Sequence, residues 1–301
     1  MKTNFDFMKR RHYAVAFSVS LVIFSLLSLV FKGLNFGLDF TGGTSIEITY
    51  QHPVKLDDIR SVLKGAKFHD AIVQYYGTES DVLIRLAGDD AKVGERILQL
   101  LKEKSGDEIE LKSVAVVGPQ VGKELRDQGG LGLLAALGLV FCYIAYRFQF
   151  KFAVGAILAL LHDPIIVIGA FSFFGWQFDL NVLAALLAII GYSVNDTIVV
   201  DDRIRENFRK LRTMPTVDII DISLNETLTR TINTSLVTWL SMLALLLFGG
   251  PTIHGFATAM SIGIIIGTYS SVYVAAALLV YLKATKEDLT PATQEDIDDR
   301  P

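Results

Sequence analysis

LNVLAALLAIIGYSVNDTIVV, residues 180–200, decides what kind of molecule this is. The run is long enough to cross the roughly 30 Å apolar layer of a bilayer as a helix. Yet it carries Gly191-Tyr192-Ser193-Val194-Asn195-Asp196-Thr197 in its second half. At the helical rise, Asp196 lies about 24 Å along the helix from Leu180, inside the apolar layer. An ionised carboxylate there costs at least about 2.5 kcal/mol and marks a functional position by default. Ser193 sits one turn earlier on the same face, and Asn195 and Thr197 flank the acid. Such a helix should face neighbouring helices or a wet cavity rather than lipid.

The rest of the chain agrees with a membrane setting. Of 301 residues, 51% are hydrophobic and 20% charged, more apolar than a soluble domain requires. Apolar runs cover residues 13–32, 131–146, 152–174, 180–200, 231–248 and 255–282, which predicts six spans. The first run is too long for the apolar core of a signal peptide, and Lys32-Gly33-Leu34 follows it rather than a small-residue cleavage site, so an uncleaved span is expected. Lys9, Arg10 and Arg11 precede that span, Arg147 and Lys151 lie between the second and third, and Arg203, Arg205, Arg209, Lys210 and Arg212 follow the fourth. The turns at 175–179 and 249–254 contain no Lys or Arg. By the positive-inside rule, residues 1–12, the loops at 147–151 and 203–230 and the acidic tail 283–301 face the cytoplasm, and both termini with them. The 203–230 loop has Val217, Ile220, Leu224 and Leu228 at near-helical spacing, which predicts a helix lying on the membrane surface. The tail, rich in Asp and Glu, has the composition of a disordered segment.

Residues 33–130 are different material, charged throughout, with short periodic segments. Alternation predicts strands over 44–50, 71–76, 81–86 and 109–117, and helical spacing predicts helices over 56–64 and 91–104. The order β-α-β-β-α-β is that of a ferredoxin-like split βαβ unit, inserted between the first two spans and placed outside the cytoplasm by the charge pattern.

Further ionisable residues fall within or beside the spans. Asp163, in His162-Asp163-Pro164, is near the middle of the third span and needs a partner within the bundle if it is charged. His162 points about a quarter turn away and reads first as a packed polar contact. Arg230 stands where the fifth span begins. By position it can equally reach the surface or pair with Asp196, and its matching depth favours the pair. The ordinary alternative is that such a pair only locks helices together. Asp201 and Asp202 read as solvated charges at headgroup level.

Other features carry less. Cys142 is the single cysteine, so no intrachain disulfide is possible. Histidines at 12, 52, 69, 162 and 254 include no pair at helical metal-site spacing, and no metal is expected. Gly118-Pro119-Gln120-Val121-Gly122-Lys123-Glu124 is one residue short of a phosphate loop and has Glu where Ser or Thr would hold magnesium. Gly130-x-Gly132-x-x-Ala135 opens a span with no preceding βαβ unit. Gly263, Gly267 and Ser271 form a small-residue stripe suited to helix packing. With a net charge of −4 and no basic stripe, nucleic acid is not an expected partner.

Several long stretches together resemble the SecF branch of the SecD/SecF protein-export family. They are Phe36-Gly37-Leu38-Asp39-Phe40-Thr41-Gly42-Gly43, Val117-Gly118-Pro119-Gln120-Val121-Gly122, the run from Gly191 through Asn207, Thr227-Leu228-Thr229-Arg230-Thr231-Ile232-Asn233-Thr234-Ser235, and Phe248-Gly249-Gly250-Pro251. The resemblance implies a six-span half of an RND-type transporter in the bacterial inner membrane, completed by SecD beside the SecYEG channel. It implies no enzymatic activity and no cofactor, the proton motive force being used to move a translocating unfolded polypeptide. It further implies that Asp196 and Arg230 serve proton passage and that the stretch holding Gly37, Asp39, Gly42 and Gly43 joins the first span to the outer domain; Asp163, by its depth in the third span, is a further candidate for a proton relay. Asp201 departs from the family, which usually has an uncharged residue there. An RND-like exporter of small molecules or lipids is the alternative reading, and the single compact outer domain counts against it.

Overall fold

The computed structural model describes residues 5–69, 71–88, 92–106, 108–211, 213–285 and Asp288. Six helices among them are long and apolar enough to cross a membrane. These are α1 (Arg11–Lys32, preceded by a 3-10 turn), α5 (Pro119–Arg147), α6 (Phe150–Phe174), α7 (Leu180–Lys210), α8 (Thr216–Phe248) and α9 (Pro251–Tyr269), which continues through a π-helical turn (Ser270–Ala275) into α10 (Ala276–Tyr281). Between α1 and α5 lie β1 (Asn35–Phe36), α2 (Leu38–Thr41), β2 (Gly43–Tyr50), α3 (Leu56–Gly65), β3 (Ile72–Tyr76), β4 (Thr78–Leu86), α4 (Lys92–Ser105) and β5 (Ile109–Val117). A short β6 (Gln177–Phe178) precedes α7.

The inserted domain has the predicted fold. Its four long strands form an antiparallel sheet in the order β3-β4-β2-β5, the ferredoxin-like arrangement. Strand alternation sends Ile46, Ile48 and Ile84 to one face, where Ile59 and Leu63 of α3 and Ile97 and Leu101 of α4 cover them.

Within the bundle, α6, α7 and the α9–α10 helix are largely buried, whereas α1, α5 and α8 expose most of their apolar surface. The buried residues of α1 are Ser18 and Ser25, an inside-out pattern. It follows from the solvent: in lipid, apolar side chains gain nothing by leaving the tails, and small residues let backbones approach. Ser25 packs directly onto Gly169 of α6, where a Cβ would collide with it. Ser28 and Ser172 Oγ atoms lie 2.9 Å apart across the same seam.

Several expected boundaries move. The second span begins at Pro119, not residue 131, because Pro is well placed in a first helical turn and the polar residues that follow do not stop the helix. The sixth begins at Pro251 for the same reason. The 203–230 region is not a loop with a separate surface helix. Helix α7 continues to Lys210 and α8 starts at Thr216. Ile220 and Leu224 pack with Ile204 and Phe208 in one buried cluster instead of lying on lipid. Most of the tail 283–301 lies outside the described residues.

Candidate functional site

Asp163 is fully buried, 0% exposed, at the meeting of α6, α7 and the π turn. Its Oδ2 accepts hydrogen bonds from Ser193 Oγ at 2.5 Å and Ser270 Oγ at 2.9 Å, and its Oδ1 lies 2.8 Å from His162 Nδ1. Gly267 makes this approach possible, since a Cβ there would stand 3.3 Å from Ser193 Cβ and 3.5 Å from the Asp163 carboxylate. The π turn places Ser270 and Ser271 both inside, Ser270 on Asp163 and Ser271 on Thr197 Oγ1 at 2.9 Å. Such single π turns recur at functional sites because they re-aim side chains without ending the helix.

Asp196 is 4% exposed and held far more loosely. Ser235 Oγ of α8 donates to its Oδ2 at 3.4 Å. Ser235 in turn receives Thr268 Oγ1 at 2.7 Å and Tyr192 OH at 3.3 Å. Arg230 is exposed and forms no ion pair with Asp196. The expected contact pair is therefore not formed: the side chain facing Asp196 belongs to Ser235, more than a turn further along α8. Ser193, expected beside Asp196, serves Asp163 instead.

Asp201 corrects a third expectation. It is 1% exposed, not solvated, and neither carboxylate oxygen has a hydrogen-bond partner among the described residues. Its neighbour Asp202 bonds Arg147 at 3.1 Å and Arg205 at 3.0 Å. Beyond it, Arg203 bridges Glu206 and Glu226, and Asn207 bonds Ser223 and Glu226, tying α7 to α8.

The glycine-rich stretch 37–43 forms the joint between domain and bundle. Strand β1 pairs in parallel with β6, and Gly37 N–H donates to the Phe178 carbonyl at 2.7 Å. Asp39 Oδ2 accepts from Leu180 N–H at 3.1 Å and Asp179 Oδ1 from Val182 N–H at 2.9 Å, so two carboxylates sit at the first turn of α7. They satisfy orphan donors and the helix dipole together. Burial, and then the nearby Asp39 charge, push the Asp179 carboxyl above its usual range. Gly42 has φ +69° and rests against the Pro119 backbone where α5 begins, so both its conformation and its missing Cβ are required. Arg85 of β4 is buried and donates to the Phe36 carbonyl and Asn35 Oδ1 at 3.1 and 3.2 Å. Burial lowers its guanidinium from the ordinary value.

Of the partners that sequence reasoning missed, Ser270 lay one residue from the small-residue stripe at 263, 267 and 271, and Ser235 closed the run around Arg230. No group of three or more His, Cys, Asp or Glu among the described residues could hold a metal ion.

A six-helix membrane bundle with carboxyls in its interior and a ferredoxin-like domain at one end is the class these observations define. Residues 97–285 match the family described as protein export membrane protein SecD/SecF, C-terminal, and residues 27–54 match the SecD/SecF GG motif. The chain is 51% identical to the protein translocase subunit SecF of Pseudomonas aeruginosa, over 98% of this chain and 97% of that one. It also matches the crystal structure of SecDF, a translocon-associated membrane protein from Thermus thermophilus, with a TM-score of 0.87 at 37% identity, covering 93% of this chain and 39% of that one. A SecDF structure in a super-membrane-facing form matches with a TM-score of 0.71, also at 37% identity, covering 94% of this chain and 39% of that one. The chain belongs to the SecD/SecF family of protein-export membrane proteins.

Proposed function

We propose that this chain, completed by a SecD-type partner, couples the proton motive force to movement of unfolded polypeptide through a SecYEG-type channel in the bacterial inner membrane. In this reading both termini are cytoplasmic, the ferredoxin-like domain is periplasmic, and no cofactor is needed because the gradient supplies the energy. The observation that carries it is Asp196: 4% exposed, deep in α7, with one long hydroxyl contact and no ion pair. A permanent charge so poorly compensated is expensive within a bilayer, whereas a carboxyl that alternates between neutral and charged forms suits this setting.

The neutral form keeps the Ser235 contact, with Tyr192 and Thr268 behind it. Ionisation draws the Arg230 guanidinium inward along α8, since its stem is long enough to change depth. That exchange alters how α7 and α8 pack, and α7 carries the change to its first turn, where Asp39 and β1 attach the outer domain. The relatives named as translocase subunits support the transport assignment.

The test is Asp196→Asn in proteoliposomes holding the partner subunit and channel, with export measured with and without an imposed gradient. The variant should assemble normally and lose the gradient-dependent increment. An undiminished increment would overturn the assignment of Asp196.

A further inference from the structure

Far from the outer domain, where α5 ends and α7 runs on beyond residue 200, lies a pocket of 270 Å³ lined by Arg147, Asp202, Arg205, Glu206 and Arg209. Its basic groups are ordered. The buried Phe148 ring has the Arg147 guanidinium 5.4 Å and the Arg205 guanidinium 5.2 Å from its centre. Asp202 accepts from Arg147 Nη2 through one oxygen and from Arg205 Nη1 through the other, at 3.1 and 3.0 Å. Two arginines are thus held side by side by one ring and one carboxylate, leaving the pair with a surplus positive charge. Glu206 is engaged by Arg203 and Lys210. Arg205 Nε is buried and makes no hydrogen bond among the described residues.

The surroundings indicate what the pocket meets. Tyr146 and Phe150, on either side of the α5–α6 turn, are 92% and 80% exposed. Large aromatic residues exposed at the ends of membrane helices sit at the level of lipid headgroups. An ordered pair of guanidinium forks at that level matches phosphate oxygens in geometry as well as charge.

We propose that this pocket binds the phosphate of an anionic phospholipid headgroup, with Arg147 and Arg205 as the clamp, Arg209 at its rim, and Tyr146 and Phe150 flanking the acyl chains. Basic pockets between membrane helices are a recurrent form of lipid recognition. The site is independent of the proton reading: it shares no residue with Asp196, Ser235 or Arg230.

The test uses the full chain in detergent, offered equimolar phosphatidylglycerol and phosphatidylcholine, with retained lipid counted by native mass spectrometry. Phosphatidylglycerol should be retained in preference by about fivefold or more, the effect of roughly one well-placed arginine. The Arg147→Gln/Arg205→Gln double variant should fall to about parity between the two lipids. Arg147→Gln alone, at a half-exposed position, supplies a folded intermediate if the double variant is unstable, and should lose part of the preference. Equal retention of both lipids by the wild type, or an unchanged preference in a folded variant, would overturn the proposal. Millimolar inorganic phosphate should leave the bound lipid in place. Displacement at that concentration would make this a free-phosphate site and overturn the lipid assignment.

Discussion

Asp163 and Asp196 are both buried carboxyls in one helix bundle, yet they are held in opposite ways. Asp163 has Ser193, Ser270 and His162 around it within 2.9 Å, drawn from α6, α7 and the π turn. Asp196 has Ser235 at 3.4 Å. The difference teaches that burial alone does not mark a moving part. A group whose hydrogen bonds are short and come from several helices pins those helices, whereas one with a single long contact can change partner at little cost.

That contrast can be broken most sharply at Asp163. Replacing it with Leu keeps the branching at Cγ but adds volume and strands the hydroxyls and imidazole that face it, and should destabilise the folded chain by about 3–5 kcal/mol. Thermal unfolding in detergent reads this directly. The same measurement on the Asp196→Asn variant should show a change below about 1 kcal/mol, its effect falling on gradient-driven export instead. Comparable destabilisation at the two positions would remove the distinction.

The outer end of α7 repeats the contrast on a smaller scale. Asp39 reaches from α2 to the Leu180 N–H, and its replacement by Ala should cost about 1 kcal/mol as a lost helix-end acceptor. Faster hydrogen exchange at the first turn of α7 would show it. Asp179 caps the same helix while burial and Asp39 disfavour its charge. Asn caps as well as Asp but carries no charge, so Asp179→Asn should stabilise the protein by less than about 1 kcal/mol at neutral pH. The sign follows from the raised folded pKa. Below about pH 4 both folded and unfolded forms are protonated and the variant gains nothing on this account. As pH rises through the folded value, the wild type loses stability that the variant keeps. A difference constant across that range would mean the charge of Asp179 is not opposed in the fold.

Much of this was legible in the chain before any fold was known. Alternation at Ile46 and Ile48, with helical spacing at Ile97 and Leu101, is enough to order the outer domain, because a small soluble unit must hide those faces. Asp196 announced itself by chemistry, a carboxyl within an apolar run. Its partner did not. Arg230 matches Asp196 in depth, but depth is one coordinate, and rotation about α8 puts Ser235 opposite the acid instead. Ser193 is three residues from Asp196, close enough in angle to suggest a shared site, yet α6 lies across from it and Asp163 takes its hydroxyl. Asp201 looked solvated because it stands at the end of an apolar run. Helix α7 continues to Lys210, and the residue is enclosed rather than released.

The sequence by itself determined six membrane-length helices, a β-α-β-β-α-β insertion and the presence of acids where lipid forbids free charge, since these depend on local periodicity and on the cost of moving charge into hydrocarbon. Only the tertiary structure decided which acid is braced and which is left nearly alone. A helix's pattern tells which side is polar, but the packing order of α6, α7, α8 and α9 determines whose hydroxyl stands opposite it.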